Sequence, residues 1–145
     1  MTSGGKPLRV VIDTNVLFSA LAFPAESPPA KVFRLLLDGK IHASCSPFIL
    51  HELEHTLQAK AGWETEQLQR LHRRLKPVFT WLVPTSHIAV ITRLDADNRI
   101  LECAVDAHAD VLITGNMKDL RPLGAFQGIA ILTPREFLSK RFPKQ

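Results

Sequence analysis

The chain has 145 residues, of which 46% are hydrophobic and 22% are charged, and its formal net charge at pH 7 is +4. This length and composition suit a single domain over residues 1–145 that buries about two-thirds of its surface on folding. They exclude a membrane-spanning helix, since no apolar run approaches roughly 18 residues, and a disulfide framework, since two cysteines are too few. The segment Met1 to Lys6 lacks the apolar core of a signal peptide, so we expect a cytoplasmic protein.

The first predicted element is a buried strand that ends at polar residues. Val10, Val11 and Ile12 are β-branched and uninterrupted, which is typical of a strand covered on both faces in a parallel sheet. Asp13 and Asn15 follow directly, and in open α/β sheets the reactive groups lie just beyond the carboxyl ends of the strands. Asp13 is therefore either the anchor of a functional site or the N-terminal cap of the next helix.

Helix and strand patterns alternate along the rest of the chain. A short helix or turn is predicted over Val16 to Phe23 and, after a proline-rich loop, a helix from Pro28 to Gly39. Further strands are predicted at 41–45, 79–83, 111–113 and 129–132, and further helices at 47–62, 64–75, 98–108 and 134–138. This order implies a three-layer α/β/α sandwich around a central, mostly parallel sheet.

Four acidic residues lie near the ends of these elements, where the sites of α/β proteins are built. They are Asp13, Glu52, Asp97 and Asp119. Asp97 also suits a helix cap and Asp119 a turn, whereas Glu52, on the flank of an apolar helix face, is more diagnostic. Carboxylates that converge without basic partners raise one another's pKa, so such a cluster generally holds a hard divalent cation. Mg²⁺ or Mn²⁺ is the expected occupant.

Five segments carry a resemblance to a known family. They are 11–17 (VIDTNVL), 46–53 (SPFILHEL), 97–104 (DNRILECA), 109–120 (ADVLITGNMKDL) and 131–138 (ILTPREFL). In these segments the chain resembles PIN-domain (PilT N-terminus) proteins, the family of VapC-type toxin ribonucleases. The resemblance implies a PIN-like fold, cleavage of RNA, a homodimer and, in toxin members, an antitoxin partner. It also implies an acidic quartet around Mg²⁺ or Mn²⁺, formed by Asp13, Glu52, Asp97 and Asp119.

The resemblance leads to an expected role for each acidic residue. Asp13, Asp97 and Asp119 are expected to bind the metal, and Glu52 to orient or deprotonate the attacking water. Two further residues are expected to orient ligands or substrate through hydrogen bonds. These supporting residues are Asn15 and Thr114.

One position departs from the family pattern. Many members have Asp where this chain has Asn116, so the fourth ligand is either Asn116 or Asp119. We favour Asp119 as the functional acid, because a neutral carboxamide oxygen compensates the charge of a cation less than a carboxylate does. Asn116 is then an orienting neighbour.

Basic residues are concentrated on the predicted helix at 64–75, with one more beside Asp97. They are candidates for contacts with the RNA backbone, and the alternative is an ordinary solvated helix face. The candidates are Arg70, Arg73, Arg74, Lys76 and Arg99.

Two other functions remain open. Residues 51–55 (HELEH) fit the H-E-x-x-H motif of zinc peptidases, in which two histidines bind the metal and Glu activates water. His51 and His55 are nevertheless predicted to face solvent, opposite the leucine stripe of their helix, and no third ligand is compellingly placed. The other alternative is a catalytically inactive RNA-binding module, because Asn116 replaces an acid.

Overall fold

The structure, a computed structural model, describes residues 6–23 and 26–144. Residues 24 and 25 of the predicted proline-rich loop, and residues 1–5 of the segment compared with a signal peptide, lie outside this part. The described helices are α1 (Thr14–Ala22), α2 (Pro28–Leu37), α3 (Pro47–Ala61), α4 (Thr65–Leu75), α5 (Asp95–Asp106) and α6 (Pro134–Arg141). The described strands are β1 (Leu8–Ile12), β2 (Ile41–Cys45), β3 (Thr80–Trp81), β4 (Val111–Ile113), β5 (Ala125–Phe126) and β6 (Ile129–Leu132).

The strands form one sheet in the order β3-β2-β1-β4-β6-β5. β1 lies in its interior, with Val10 opposite Ala43 of β2 and Val111 of β4, and both pairings are parallel. Only β5 is antiparallel to its neighbour within this sheet. The predicted α/β/α sandwich with a mostly parallel sheet and a buried β1 is therefore confirmed.

Local sequence signals set the starts of three helices. Ser27, Ser46 and Thr133 each accept a backbone N–H and cap α2, α3 and α6, and a proline follows each cap. Gly62 ends α3 with a φ of 69°, a conformation that glycine adopts without a steric penalty. These boundaries agree with the predicted ones.

The start of α5 differs from the prediction. The helix begins at Asp95 instead of Asn98, so Asp97 lies inside its first turn and is not its cap. The Asn98 side chain accepts a hydrogen bond from the backbone N–H of Ile91 at 2.9 Å and donates one to its carbonyl at 2.8 Å. These contacts tie the preceding segment to the helix, and Asp97 is buried.

The two cysteines belong to the core. Cys45 and Cys103 are both free and buried, and burial raises the pKa of each thiol to about 12. Their thiolate forms are therefore suppressed at neutral pH, as expected for structural cysteines. Among the residues described, no helix has the length and apolar character needed to cross a membrane.

Candidate functional site

Asp13 lies directly after β1, where the interior strands end. Its backbone N–H donates to the carbonyl of Ile113 at 2.9 Å, which continues the pairing of β1 with β4. Its Oδ1 accepts a hydrogen bond from the N–H of Thr14 at 2.7 Å and caps α1, while its Oδ2 accepts one from the hydroxyl of Thr114 at 2.7 Å. The predicted helix cap is present, and the second oxygen is held by Thr114, which directly follows β4.

Burial raises the pKa of Asp13 to about 6, from an ordinary value of 3.8. The hydrogen bonds from Thr114 and Thr14 lower this pKa, whereas the negative charges of Asp97 and Glu52 raise it. Asp97 comes from α5 and Glu52 from α3, so three separate elements bring carboxyl groups close enough to repel one another. Such a cluster favours a cation in its midst.

Asp97 is oriented by Asn116, whose Nδ2 donates to Asp97 Oδ2 at 3.0 Å. Burial and then the charge of Asp119 raise the pKa of Asp97, while Asn116 and Arg93 lower it. The Asn116 Oδ1 accepts the backbone N–H groups of Lys118 at 3.1 Å and of Asp119 at 3.0 Å, which identifies it as the oxygen of the carboxamide. This arrangement supports an orienting role for Asn116, because its oxygen is engaged by the backbone.

Asp119 is held by Arg93, a residue that sequence reasoning missed. The Arg93 Nε lies 3.2 Å from each Asp119 carboxylate oxygen, and its terminal nitrogen lies 2.7 Å from Oδ2. This fork lowers the pKa of Asp119. The two residues are 26 positions apart, so no local motif links them. A lone basic residue four positions before Asp97 is the only trace of the contact in the sequence.

The two supporting residues join the loops that follow β1 and β4. Thr114 is fully buried, and its hydroxyl oxygen accepts the N–H of Asn116 at 2.9 Å while donating to Asp13. The Asn15 Oδ1 accepts the N–H of Gly115 at 3.3 Å. The positions predicted to orient ligands therefore connect the two strand ends that carry the acidic residues.

The two histidines of residues 51–55 lie on a different face of α3 from Glu52. His51 and His55 are exposed, as predicted, but they were not expected to face a cleft, and they line one of about 540 Å³ between α3 and α4. His72 of α4 lines the same cleft, with its Nδ1 3.5 Å from Glu54 Oε2. Glu52, in contrast, acts electrostatically on Asp13. The motif is thus divided between two faces of α3.

The basic residues of α4 are divided between two surfaces. Arg73 lines the cleft that contains His51 and His55. Arg70 and Arg74 instead line an apolar groove formed with α1, α2 and the residues flanking α4. Lys76 is exposed just after the helix. Arg99 contacts Glu102 at 2.9 Å and the backbone carbonyl of Ile88, so it fastens α5 to the segment before it.

The donor set suits a hard divalent cation, although it does not form a complete ligand cage. Within residues 6–23 and 26–144, no three His, Cys, Asp or Glu side chains are grouped so as to hold a metal ion. Asp119 is instead paired with Arg93. Burial, and to a smaller extent the charges of neighbouring acids, raise the pKa values of Asp13 and Asp97. Their carboxylate oxygens are nevertheless the kind of ligand that Mg²⁺ and Mn²⁺ prefer. Asp13, Asp97 and Asp119 could each supply a carboxylate ligand to such an ion.

Comparison with known proteins identifies the family. The family model for the PIN domain matches residues 9–118. The chain is 31% identical over 145 residues to Uncharacterized protein MJ1680 of Methanocaldococcus jannaschii, and the match covers 92% of this chain and 91% of that protein. Its fold is similar to the crystal structure of FitAcB from Neisseria gonorrhoeae, with a TM-score of 0.58, 18% identity and coverage of 87% of this chain and 98% of that one.

The chain therefore belongs to the PIN domain family, as the sequence resemblance predicted. PIN domains are generally nucleases and typically use divalent metal ions.

Proposed function

We propose that this chain is an Mg²⁺- or Mn²⁺-dependent endoribonuclease that hydrolyses phosphodiester bonds of RNA. The observation that carries the proposal is the convergence of Asp13, Asp97 and Glu52 from β1, α5 and α3, with Asp119 beside Asp97. Buried acids that raise one another's pKa are expected where a cation compensates them. Membership of a family of nucleases supports the same class of reaction.

In this proposal the acidic residues have two kinds of role. Asp13, Asp97 and Asp119 hold the divalent cation, which supplies charge neutralisation at the scissile phosphate and makes nearby water more acidic. Glu52, on the flank of α3, orients the attacking water or accepts its proton. Water adds to the phosphorus, and the leaving oxygen of the RNA chain takes up a proton as the phosphodiester bond breaks.

Two neighbouring residues act as positioning groups. Thr114 fixes Asp13 by donating to its Oδ2, and Asn116 fixes Asp97 by donating to its Oδ2. A carboxylate oxygen has two lone pairs, so one hydrogen bond to each Oδ2 does not by itself prevent that oxygen from binding a ligand. Such outer contacts orient metal ligands and tune their affinity.

The substrate class is tested by giving the purified chain three polymers in the presence of Mg²⁺, Mn²⁺ or Zn²⁺. These are a mixed RNA, a single-stranded DNA of the same sequence and an unfolded protein. We expect only the RNA to be shortened. Zinc-dependent hydrolysis of the protein, with intact RNA, would favour a site built on His51 and His55. RNA binding without cleavage under any of these metals would favour an inactive RNA-binding module.

Asp119→Asn should raise the Mg²⁺ concentration needed for half-maximal cleavage by about tenfold or more, because the site loses an anionic ligand. Asn116→Asp should lower this requirement, because it adds a negative charge beside Asp97. Both values are read from initial cleavage rates over a series of Mg²⁺ concentrations. A raised requirement in Asn116→Asp with no change in Asp119→Asn would assign the fourth ligand to Asn116.

RNA contacts are assigned in this proposal to Arg73 and Arg74, which are exposed on α4. Replacing both with Gln should weaken RNA binding in EDTA and reduce the slope of log K against log salt concentration by about 0.7 for each phosphate that is no longer neutralised. Arg9→Gln is a matched control, because Arg9 lies on β1 at the end of the sheet remote from Asp13. Equal slopes in all three proteins would identify the basic face of α4 as ordinary solvated surface.

The proposal extends to a biological role as the toxin component of a toxin–antitoxin system, acting in the cytoplasm as a homodimer with an antitoxin protein as partner. Its support is the resemblance to VapC-type toxin ribonucleases in the segments quoted above. Expression should arrest growth, and Asp13→Asn should relieve the arrest. Normal growth on expression of the active nuclease would remove the toxin role and leave the enzymatic proposal intact.

A further inference from the structure

Arg93 is placed where it acts on two of the three proposed metal ligands. Its guanidinium engages both carboxylate oxygens of Asp119, the shortest contact being 2.7 Å, and its charge lowers the pKa of Asp97. The Asp119 side chain is 12% exposed, whereas that of Arg93 is 56% exposed. The arginine therefore covers the carboxylate from the solvent side.

The backbone that carries Arg93 is anchored near the site. The N–H of Ile88 donates to buried Glu102 at 2.9 Å, and the backbone of Ile91 forms two hydrogen bonds with buried Asn98. The side chains of Ile88 and Ile91 are themselves buried. The segment before α5 thus keeps Arg93 beside the cluster. Its long side chain is 56% exposed, so on leaving Asp119 it would have solvent space in which to adopt another rotamer.

Binding of a divalent cation and of the Arg93 guanidinium to Asp119 at the same time is electrostatically unfavourable. A divalent ion near Asp119 would meet the positive charge of Arg93 within a few ångströms, and both would draw on the same two oxygens. Once displaced, the guanidinium would retain a planar fork of donors that matches the oxygens of a phosphodiester. The displaced guanidinium would lie next to the position that the RNA backbone must occupy in the proposed reaction.

We propose that Arg93 is an internal counter-ion that competes with the divalent cation for Asp119 and contacts an RNA phosphate once the cation has taken its place. This inference rests on the proposed function, because it uses the same metal ligands. It predicts that Arg93 opposes metal binding and that its contribution to RNA binding depends on the metal.

The first test is Mn²⁺ affinity, measured by the electron paramagnetic resonance signal of the free ion in the absence of RNA. Arg93→Gln should bind Mn²⁺ about two- to fivefold more tightly than the wild type, the range that an exposed ion pair contributes. Arg93→Lys, which keeps the charge but loses the fork, should show a smaller gain. Arg9→Gln, which removes the same charge at the remote end of the sheet, should bind like the wild type.

The second test is RNA binding, measured by fluorescence anisotropy in Ca²⁺ and in EDTA with the RNA checked for integrity. Arg93→Gln should weaken RNA binding in Ca²⁺ and reduce the slope of log K against log salt concentration by about 0.7, yet leave RNA binding in EDTA unchanged.

Unchanged or weaker Mn²⁺ binding by Arg93→Gln, while the wild type binds Mn²⁺, would overturn the inference and leave the proposed function standing. Failure of the wild type and of Arg93→Gln to bind Mn²⁺ would overturn this inference and the proposed function together.

Discussion

Asp13→Asn should lower the rate of RNA cleavage by about 10³-fold or more while leaving the fold intact. The metal in such a reaction supplies several kcal/mol of charge stabilisation, and each 1.36 kcal/mol corresponds to about tenfold in rate. The substitution keeps the shape of the side chain, and an amide oxygen can still accept the N–H of Thr14 that Asp13 accepts to cap α1. Single-turnover cleavage of a labelled RNA measures the loss.

Asp110→Asn is the matched control for this experiment. Asp110 lies just before β4, at the opposite end of the sheet from Asp13, and its carboxylate accepts the N–H of Arg9. This variant should cleave RNA at the wild-type rate. Full activity in purified Asp13→Asn would remove Asp13 from the site, and equal losses in both variants would point to a general effect on the fold.

The second large effect is expected on stability, in EDTA and as a function of pH. The folded-state pKa of Asp13, about 6, is above its ordinary value of 3.8, so the folded protein binds this proton more tightly than the unfolded chain. The contribution of Asp13 to stability is therefore complete below about pH 4 and is lost as the pH rises through about 6. A shift of this size corresponds to about 3 kcal/mol, since one pKa unit is about 1.36 kcal/mol.

Asp13→Asn removes the buried charge, so it should unfold at higher urea concentrations than the wild type at pH 8 and show a much smaller difference at pH 4. Comparing the two proteins isolates Asp13 from groups such as Glu136, whose pKa is lowered to about 2 by Arg121 and whose contribution is lost as the pH falls. Saturating Mn²⁺ should stabilise the wild type at pH 8 and thereby reduce the gap. A difference between the two proteins that is equal at both pH values would contradict the burial of an ionised Asp13.

Much of the fold was accessible from the sequence, because its signals are local. The uninterrupted apolar residues of β1 predicted an interior parallel strand, and the Ser–Pro pairs at residues 27–28 and 46–47 predicted the starts of α2 and α3. β5 was missed because it has two residues and pairs antiparallel to β6 across a turn at Gln127 and Gly128, both with positive φ. β3 is equally short but lies within the apolar run at 79–83, whereas no such run surrounds β5.

The candidate site was accessible in its acidic residues and in the polar residues that follow the strands. Asp13 was marked by its place after an apolar strand and Glu52 by its position on the flank of a helix face. The start of α5 and the pairing of Arg93 with Asp119 were not predicted, because each depends on contacts between distant parts of the chain. The role of a basic residue in an irregular segment can be inferred only once the fold shows which acidic residue lies beside it.

The central claim, that the cluster around Asp13 cleaves RNA with a divalent cation, is tested most directly by removing and restoring the metal. The purified protein is treated with EDTA, dialysed and assayed on one labelled RNA with Mg²⁺, Mn²⁺, Zn²⁺ or no metal added. We predict no cleavage without metal, recovery with Mg²⁺ or Mn²⁺, and no recovery in Asp13→Asn at any concentration that saturates the wild type. Cleavage that persists in EDTA, or that returns equally in Asp13→Asn, would contradict the proposed site.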